Sequence, residues 1–490
     1  MVELTIDGKK VQVAEGTTIL EAAKQASVNI PHLCYVEGVS PDGACGICVV
    51  SVKGERSFTR SCARQAANGM DVTTNSPEIR NIRKTIVELL MSRHVKGCFS
   101  CERNQNCELL ELGYELGIDQ DRFEWMEPCY EIDATSPSVI RDPNKCIRCG
   151  RCTRVCNEIQ TVGAIDFVNR GAESIVTTFM DCGLGNSVCI NCGQCIHVCP
   201  VGAIKENSSI DDVWKALADP DKHVVVQEAP AVRVALGEGL GLKPGTLVAG
   251  KMYAALRRLG FDAVFDTNFT ADLTIMEEGS ELVKRVKEGG VLPQITSCCP
   301  GWVKFAEQFY PDLLDNISSA KSPQQMFGAL SKTYYAEVKG IDPSKIVSVS
   351  VMPCTAKKYE CLRPEMNDSG YQDVDYVLTT RELIRMIRQV GIDFNTLEEE
   401  KADDLMGQYT GAGTIFGATG GVMEAALRTA YKVITGNELE NIDIMPVRGM
   451  EGIKTATIKV GDLDVKVAVA HGLGNARVLL DEIREGKSPY

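Results

Sequence analysis

Eight cysteines fall into two groups with the same internal spacing, and no other feature restricts the fold of this chain so tightly. One group reads Cys146-Ile-Arg-Cys149-Gly-Arg-Cys152-Thr-Arg-Val-Cys156. The other reads Cys189-Ile-Asn-Cys192-Gly-Gln-Cys195-Ile-His-Val-Cys199. Each is C-x2-C-x2-C-x3-C. Three thiolates spaced this closely can cap three corners of an iron–sulfur cube from one tight loop. A structural zinc site needs only two C-x2-C pairs. Two complete fours therefore favour iron–sulfur clusters over a pair of zincs.

The spacing resembles that of bacterial two-cluster ferredoxins, in which the fourth cysteine of each group crosses to the other cluster. The resemblance implies one 4Fe–4S set of Cys146, Cys149, Cys152 and Cys199. The other set is Cys189, Cys192, Cys195 and Cys156. Pro200 follows the second group, whereas Asn157 stands at the matching place in the first.

With 490 residues the chain exceeds a single core, and several domains are expected. The net charge of −14, with no long basic run, argues against a nucleic-acid role and for a soluble protein. The 21 cysteines do not read as a secreted disulfide framework, since the start is no signal peptide. No apolar run approaches the roughly 20 residues of a membrane span. A reducing cytoplasm, with thiolates committed to metal, is the expected setting.

The expected fold class is multidomain, α+β followed by α/β. Residues 1–78 open with a hairpin, Val2–Ile6 and Lys10–Val13, around Asp7-Gly8, and a helix from Ile19 to Ala26. Cys34, Cys45, Cys48 and Cys62 follow, with small residues around Gly43-Ala-Cys45-Gly-Ile-Cys48. This reads as a β-grasp 2Fe–2S ferredoxin domain, the competing reading being a four-cysteine zinc site. Residues 79–125 begin with an amphipathic basic segment, Ile79 to Met91. They continue with His94, Cys98, Cys101 and Cys107, a set that could hold zinc but between two ferredoxin modules reads as a His-ligated 4Fe–4S cluster. Residues 126–208 form the two-cluster module. The expected cofactors of these modules are one 2Fe–2S and three accessory 4Fe–4S clusters. Cys129 and Cys182 fit no set and read as buried or loop thiols.

Residues 209–490 alternate helix and strand patterns. Short strands are expected at Ala263–Phe265, Val291–Ile295 and Ile346–Val351, with helices at Met252–Leu259 and Leu273–Val286. Two of these strands run into cysteine loops, Thr296-Ser-Cys298-Cys299-Pro-Gly-Trp302 and Met352-Pro-Cys354-Thr-Ala-Lys357-Lys358. Ligand sites of open α/β sheets lie at such strand ends. The glycine-rich Phe416-Gly-Ala-Thr-Gly-Gly421 allows close backbone approach. No phosphate-binding loop or nucleotide fingerprint is present.

These two loops, with Ala229-Pro-Ala-Val-Arg233, Phe416–Gly421 and Val447-Arg-Gly449, resemble the motifs of iron-only (FeFe) hydrogenases. The N-terminal modules resemble the accessory half of large members of that family. They resemble equally the iron–sulfur subunit of respiratory NADH dehydrogenase. The resemblance implies interconversion of H2 with protons and electrons at an H-cluster, a 4Fe–4S cube joined to a two-iron unit carrying CO, cyanide and a dithiolate amine. It makes Cys299 and Cys354 cube ligands and Cys298 the proton donor. Lys357 pairs with a cyanide. Ala229, Pro230 and Gly417 offer backbone groups, and Met352 and Phe416 wall the pocket. Glu278, Glu281 and Ser318 match the family's proton path, although Met276–Glu281 also reads as a solvated helix face.

The family's third motif supplies two further H-cluster cysteines, and this sequence has no cysteine after Cys361. A polypeptide continuing past Tyr490 is the favoured expectation, and the H-cluster is expected only if that motif lies there. The alternative is a non-catalytic electron-relay subunit with an incomplete hydrogenase domain. The implied partners are a flavin- and NAD(P)-binding subunit, a small 2Fe–2S subunit and ferredoxin, in a complex that bifurcates electrons. A large single-subunit hydrogenase carries the same modules.

Overall fold

A computed structural model of the chain describes residues 1–119, 122–126, 129–439, 452–460 and 463–490. They divide into two compact units. One comprises Met1–Cys189 with Gly193–Glu206, the other Asn207–Tyr490 with Ile190–Cys192.

The first unit opens with strands β1 (Val2–Ile6) and β2 (Lys9–Val13), paired antiparallel as expected. The turn between them places Asp7 and Gly8 at φ 45° and 79°, the left-handed pair that a tight hairpin favours. The helix Ile19–Gln25 begins at a reciprocal cap: Thr18 Oγ accepts from the Glu21 amide while Glu21 accepts from the Thr18 amide. Such a cap contributes about 1 kcal/mol. Strands β3 (Val49–Val52), β4 (Thr59–Arg60) and β5 (Asp71–Thr73) complete a sheet of order β2-β1-β5-β3-β4. Leu4, Ile6, Ile19, Val50 and Val72 are buried beneath it.

The basic segment forms a helix, Pro77–Met91, capped by Ser76 and started by Pro77. It buries Ile79, Arg83 and Val87. Strand β6 (Val139–Arg141) begins the two-motif region, which also holds the short hairpin β7 (Asp166–Val168) and β8 (Ile175–Thr177). Strand β9 (Ile204–Glu206) closes the region by pairing antiparallel with β6. The repeat in sequence is a repeat in backbone: Arg148 and Gly150 have φ 56° and 70°, and Asn191 and Gly193 have 61° and 72°.

In the second unit, strands β10 (His223–Glu228), β11 (Ala263–Asp266), β12 (Ile346–Met352) and β13 (Tyr376–Thr379) form a parallel sheet of order β11-β10-β12-β13. Their continuous apolar burial, with Val224, Val226, Val264, Val349 and Val351 in one core, is that of a sheet covered on both faces. The helices Ala249–Leu259 and Asn268–Glu288 contain the two expected ones. Strands β14 (Ile453–Val460) and β15 (Leu463–Ala470) form a separate antiparallel hairpin.

One expectation fails. Residues 291–295 form no strand, and only Ile295 makes an isolated parallel bridge, to Ile317. Pro293 sits mid-segment without an amide hydrogen to contribute to a ladder. The Cys354 loop therefore follows a strand directly, whereas Cys298 and Cys299 lead into the helix Pro300–Phe309. No helix among the described residues is long and apolar enough to cross a membrane.

Candidate functional site

The Cys354 loop leaves the end of β12, where a parallel sheet opens toward its ligands. Cys299 stands at the N-cap position of the helix Pro300–Phe309, its side chain making no capping bond. Burial pushes the Cys298 thiol up to about 12, reinforced by Glu278 and opposed by Lys357. Burial likewise pushes Cys354 up to about 11, with Cys299 adding to it. The sequence-predicted Cys298, Cys299, Cys354 and Lys357 thus lie within electrostatic reach of one another. The half-buried Cys298 and Cys354 thiols ionise readily only beside a positive centre, which is the chemistry of a metal–thiolate site.

Lys357 Nζ donates to Cys298 O and to Glu360 Oε2, both at 2.9 Å. Burial opposes its charge, but Glu360 outweighs it and raises the ammonium's pKa. Gln324 Nε2 donates to the same Glu360 oxygen at 3.1 Å. Sequence reasoning missed Glu360 and Gln324. The i, i+3 spacing of Lys357 and Glu360 was the available signal for the former.

Of the predicted wall residues, Met352 is buried and Phe416 half-buried; Ala229, predicted to offer a backbone group, is buried. The Ala229 amide donates to Val351 O, and Pro230 starts the next helix. A Cβ on Gly417 would lie 2.7 Å from Pro230 Cβ, so the structure brings these two pocket residues together and leaves room only for glycine. Val447–Gly449 lie outside the described residues.

Beside Ala229, Glu228 and Asp266 end neighbouring strands and share Arg233. Its guanidinium donates to Glu228 Oε1 and, at 2.8 Å, to Asp266 Oδ1. Tyr253 donates to Asp266 Oδ2 at 2.9 Å. Burial, and then Asp266, hold the Glu228 carboxyl well above the usual range. Sequence reasoning missed the two carboxylates, Glu228 and Asp266.

Glu278 and Glu281 share a face of the helix Asn268–Glu288. Glu278 is 1 % exposed, so the solvated-face reading fails for it. Burial pushes its carboxyl up to about 7. Glu278 Oε1 accepts from the Ser297 amide at 3.3 Å, next to Cys298, while Oε2 is buried without a partner. Ser318 Oγ donates to Glu281 Oε2 at 2.6 Å, and Arg285 holds Oε1 at 2.6 Å. Burial opposes the Glu281 charge, but Ser318 and Arg285 outweigh it and lower its pKa. An open cleft of about 880 Å³, lined by Glu277, Glu281, Arg285 and Ser319, reaches Glu281 from outside.

In the first unit, Cys34, Cys45, Cys48 and Cys62 converge: Cys48 and Cys62 sulfurs are 3.3 Å apart. Hydrogen bonds from Cys45 and Cys62 push the Cys34 thiol far down, and Cys45 and Cys62 are pushed up in turn. Sulfurs packed this closely, sharing protons among themselves, are a donor set short of positive charge. Cys146, Cys149, Cys152 and Cys199 line one cavity, the grouping expected of a crossed fourth cysteine. Burial pushes Cys149 up to about 12, with Cys199 adding to it. Cys156, Cys189 and Cys195 are half-buried against the same apolar core. Cys192 lies in the stretch grouped with the second unit.

His94 Nδ1 is buried without a partner, and burial holds the ring neutral, its ligand form. Cys98 and Cys101 both bear on the Cys107 thiol, though burial is the main cause of that thiol's raised pKa. Gly202 abuts this set: a Cβ there would lie 2.5 Å from Cys101 Sγ. Arg154 joins the cysteine loops, donating to Cys34 O and Ser40 O and, at 3.3 Å, to Cys149 O. Cys129 and Cys182 are exposed, not buried.

Residues 222–490 match the family described as iron only hydrogenase large subunit, C-terminal domain. Residues 1–77 match a 2Fe-2S iron-sulfur cluster binding domain. Residues 83–122 match the NADH-ubiquinone oxidoreductase-G iron-sulfur binding region, and 136–205 the ferredoxin-like domain of NADH-quinone oxidoreductase subunit 3. The chain is 52% identical to the NADP-reducing hydrogenase subunit HndD of Solidesulfovibrio fructosivorans, over 100% of this chain and 85% of that protein. It is 44% identical to iron hydrogenase 1 of Clostridium pasteurianum, over 97% of this chain and 83% of the relative. An apo FeFe hydrogenase HydA1 structure from Chlamydomonas reinhardtii superposes with TM-score 0.52 at 44% identity, covering 58% of this chain and 80% of that one. The chain therefore belongs to the iron-only hydrogenase family, oxidoreductases acting on H2, with N-terminal domains that bind iron–sulfur clusters.

Proposed function

We propose that this chain is the catalytic subunit of a cytoplasmic hydrogenase complex that exchanges electrons between H2 and NAD(P)-linked and ferredoxin-linked partners. One observation carries the reading. Cys298 and Lys357 lie together, Glu278 accepts from the Ser297 amide beside Cys298, and Ser318 donates to Glu281 at the open cleft.

In this reading Cys299 and Cys354 are H-cluster ligands, and Met352, Phe416, Ala229, Pro230 and Gly417 shape the pocket. The accessory ligand sets and module limits are those of the sequence: 1–78, 79–125, 126–208 and 209–490. When bound, the H-cluster supplies the iron at which protons and electrons combine, and four accessory clusters supply one-electron conduction.

The protein's own part is proton handling and charge placement. Cys298 holds its proton, because burial disfavours the thiolate, and releases it only toward a strong acceptor. Glu278, near neutrality in its affinity for protons, reloads it. Glu281 takes protons from the cleft, and Ser318, hydrogen-bonded to it, carries them onward through its hydroxyl. Lys357 offers a buried cation to an anionic ligand, held in place by Glu360 and Cys298 O.

The flavin- and NAD(P)-binding partner, the small 2Fe–2S partner and electron bifurcation are inferred from the NADH-dehydrogenase-like modules and from the name of the HndD relative. The test is purification with co-eluting partners after maturation, with infrared spectra in the CO and cyanide region and an assay of H2-dependent NAD(P) reduction. CO bands with coupled reduction are expected. A bandless protein would leave the electron-relay reading in its place.

A further inference from the structure

Arg83 lies in the helix Pro77–Met91, yet its side chain reaches into the cysteine loop of the β-grasp sheet. It is 6 % exposed. Its Nε donates to Ile47 O at 3.0 Å. Its Nη2 donates to Val49 O at 2.9 Å and to Thr74 O at 3.0 Å. Two of these three carbonyls bracket Cys48. The carbonyl of Cys48 itself accepts from the Ser61 amide and, at 2.8 Å, from Ser61 Oγ. The Ile47 amide in turn bonds the Cys45 sulfur. One guanidinium thus fixes the backbone on both sides of a predicted ligand.

Among the described residues no carboxylate forms an ion pair with Arg83. The anionic groups that face it are Cys48 and Asp7, and the Asp7 carboxylate is occupied by the amide and hydroxyl of Thr74. A buried guanidinium met only by carbonyl dipoles is costly unless a negative centre lies close. Four thiolates around two irons and two sulfides make such a centre, and reduction adds a further negative charge to it.

We infer that Arg83 is a positioning residue of the 2Fe–2S centre: it clamps the Cys48 loop and supplies the buried counter-charge that raises the centre's reduction potential. This rests on the reading of Cys34, Cys45, Cys48 and Cys62 as the 2Fe–2S ligands. A fixed cation stabilises the more negative, reduced state, so electrons enter this centre more readily with Arg83 than without it. The other cation facing the set, Arg154, acts on Cys34 from a half-exposed position and is screened by solvent.

The experiment is EPR-monitored potentiometry of the purified full-length chain, with iron and sulfide analysis, for wild type, Arg83→Gln, Arg83→Lys and Arg154→Gln. Arg83→Gln is expected to shift the 2Fe–2S midpoint potential negative while the 4Fe–4S signals keep theirs. Arg83→Lys, which keeps the charge but loses the fork, is expected to stay near wild type. Arg154→Gln is expected to shift it less than Arg83→Gln. If Arg83→Gln loses the centre while Arg83→Lys keeps it at the wild-type potential, the inference also holds. An unshifted potential in Arg83→Gln, an equal shift in Arg83→Lys, or loss of the centre from both Arg83 variants would overturn it. Wild-type protein lacking a 2Fe–2S signal would overturn the ligand reading and this inference together.

Discussion

Ser318 Oγ donates a 2.6 Å hydrogen bond to Glu281 Oε2. The same hydroxyl accepts from the Ala320 amide at 3.2 Å, so its rotor is set from both sides. A methyl in its place leaves Glu281 without its hydroxyl partner. Ser318→Ala is expected to lower dye-driven H2 evolution by about 100-fold, as for loss of a positioned proton-transfer group. Ser318→Thr, which keeps the hydroxyl, should retain most of the rate. Unchanged cluster spectra would show that the loss is in proton delivery.

Glu278 gives a pH signature. Its folded-state value of about 7 lies above the ordinary 4.5. The folded chain therefore binds this proton more tightly than the unfolded chain does. The penalty for holding the carboxylate is absent below the lower value and complete above the upper one. Stability should fall across that window by on the order of 3 kcal/mol. Denaturant midpoints for wild type and Glu278→Gln at about pH 5 and about pH 8 check this, with the slope expected to flatten in the variant.

Removing Arg233 strands two buried carboxylates. Arg233→Ala is expected to destabilise the second unit by about 3–5 kcal/mol, the usual cost of breaking a buried pair from one side. Arg233→Lys should recover part of it. Thermal unfolding of the purified chain reads the difference.

Gly202→Ala should cost a cluster. The added methyl would fall 2.5 Å from Cys101 Sγ, a separation that neither atom tolerates. The expected outcome is loss of the iron and sulfide of one 4Fe–4S centre while the 2Fe–2S signal persists. Quantitative iron analysis with EPR spin counting decides it.

Local spacing made the cysteine sets legible, because a cluster loop is a short-range object. The crossing of Cys199 to the first group is expected from the same pattern, and Cys199 lines one cavity with Cys146, Cys149 and Cys152. Gly202 against Cys101 could not be read this way, since the two residues meet only after the chain has folded back. The 291–295 segment failed for a physical reason: Val291, Leu292 and Ile295 suggested a strand, and the proline at its centre outweighed them. Glu360 escaped because a charged residue near a lysine on a short helix usually faces water. Here Glu360 is 3 % exposed. Arg83 reads as one more cation in a basic amphipathic helix, and only its burial separates it from Arg80 and Lys84.

The helix Asn268–Glu288 carries both carboxyls of the proposed proton line on one turn. The spacing of their backbone anchors is therefore set by main-chain hydrogen bonds within a single rod. Insertions or wobble in the loop that bears Ser318 can open or shut the relay, but they cannot stretch it. The loop's hydroxyl is the contact that a backbone shift breaks, and the two acids stay rooted in one helix.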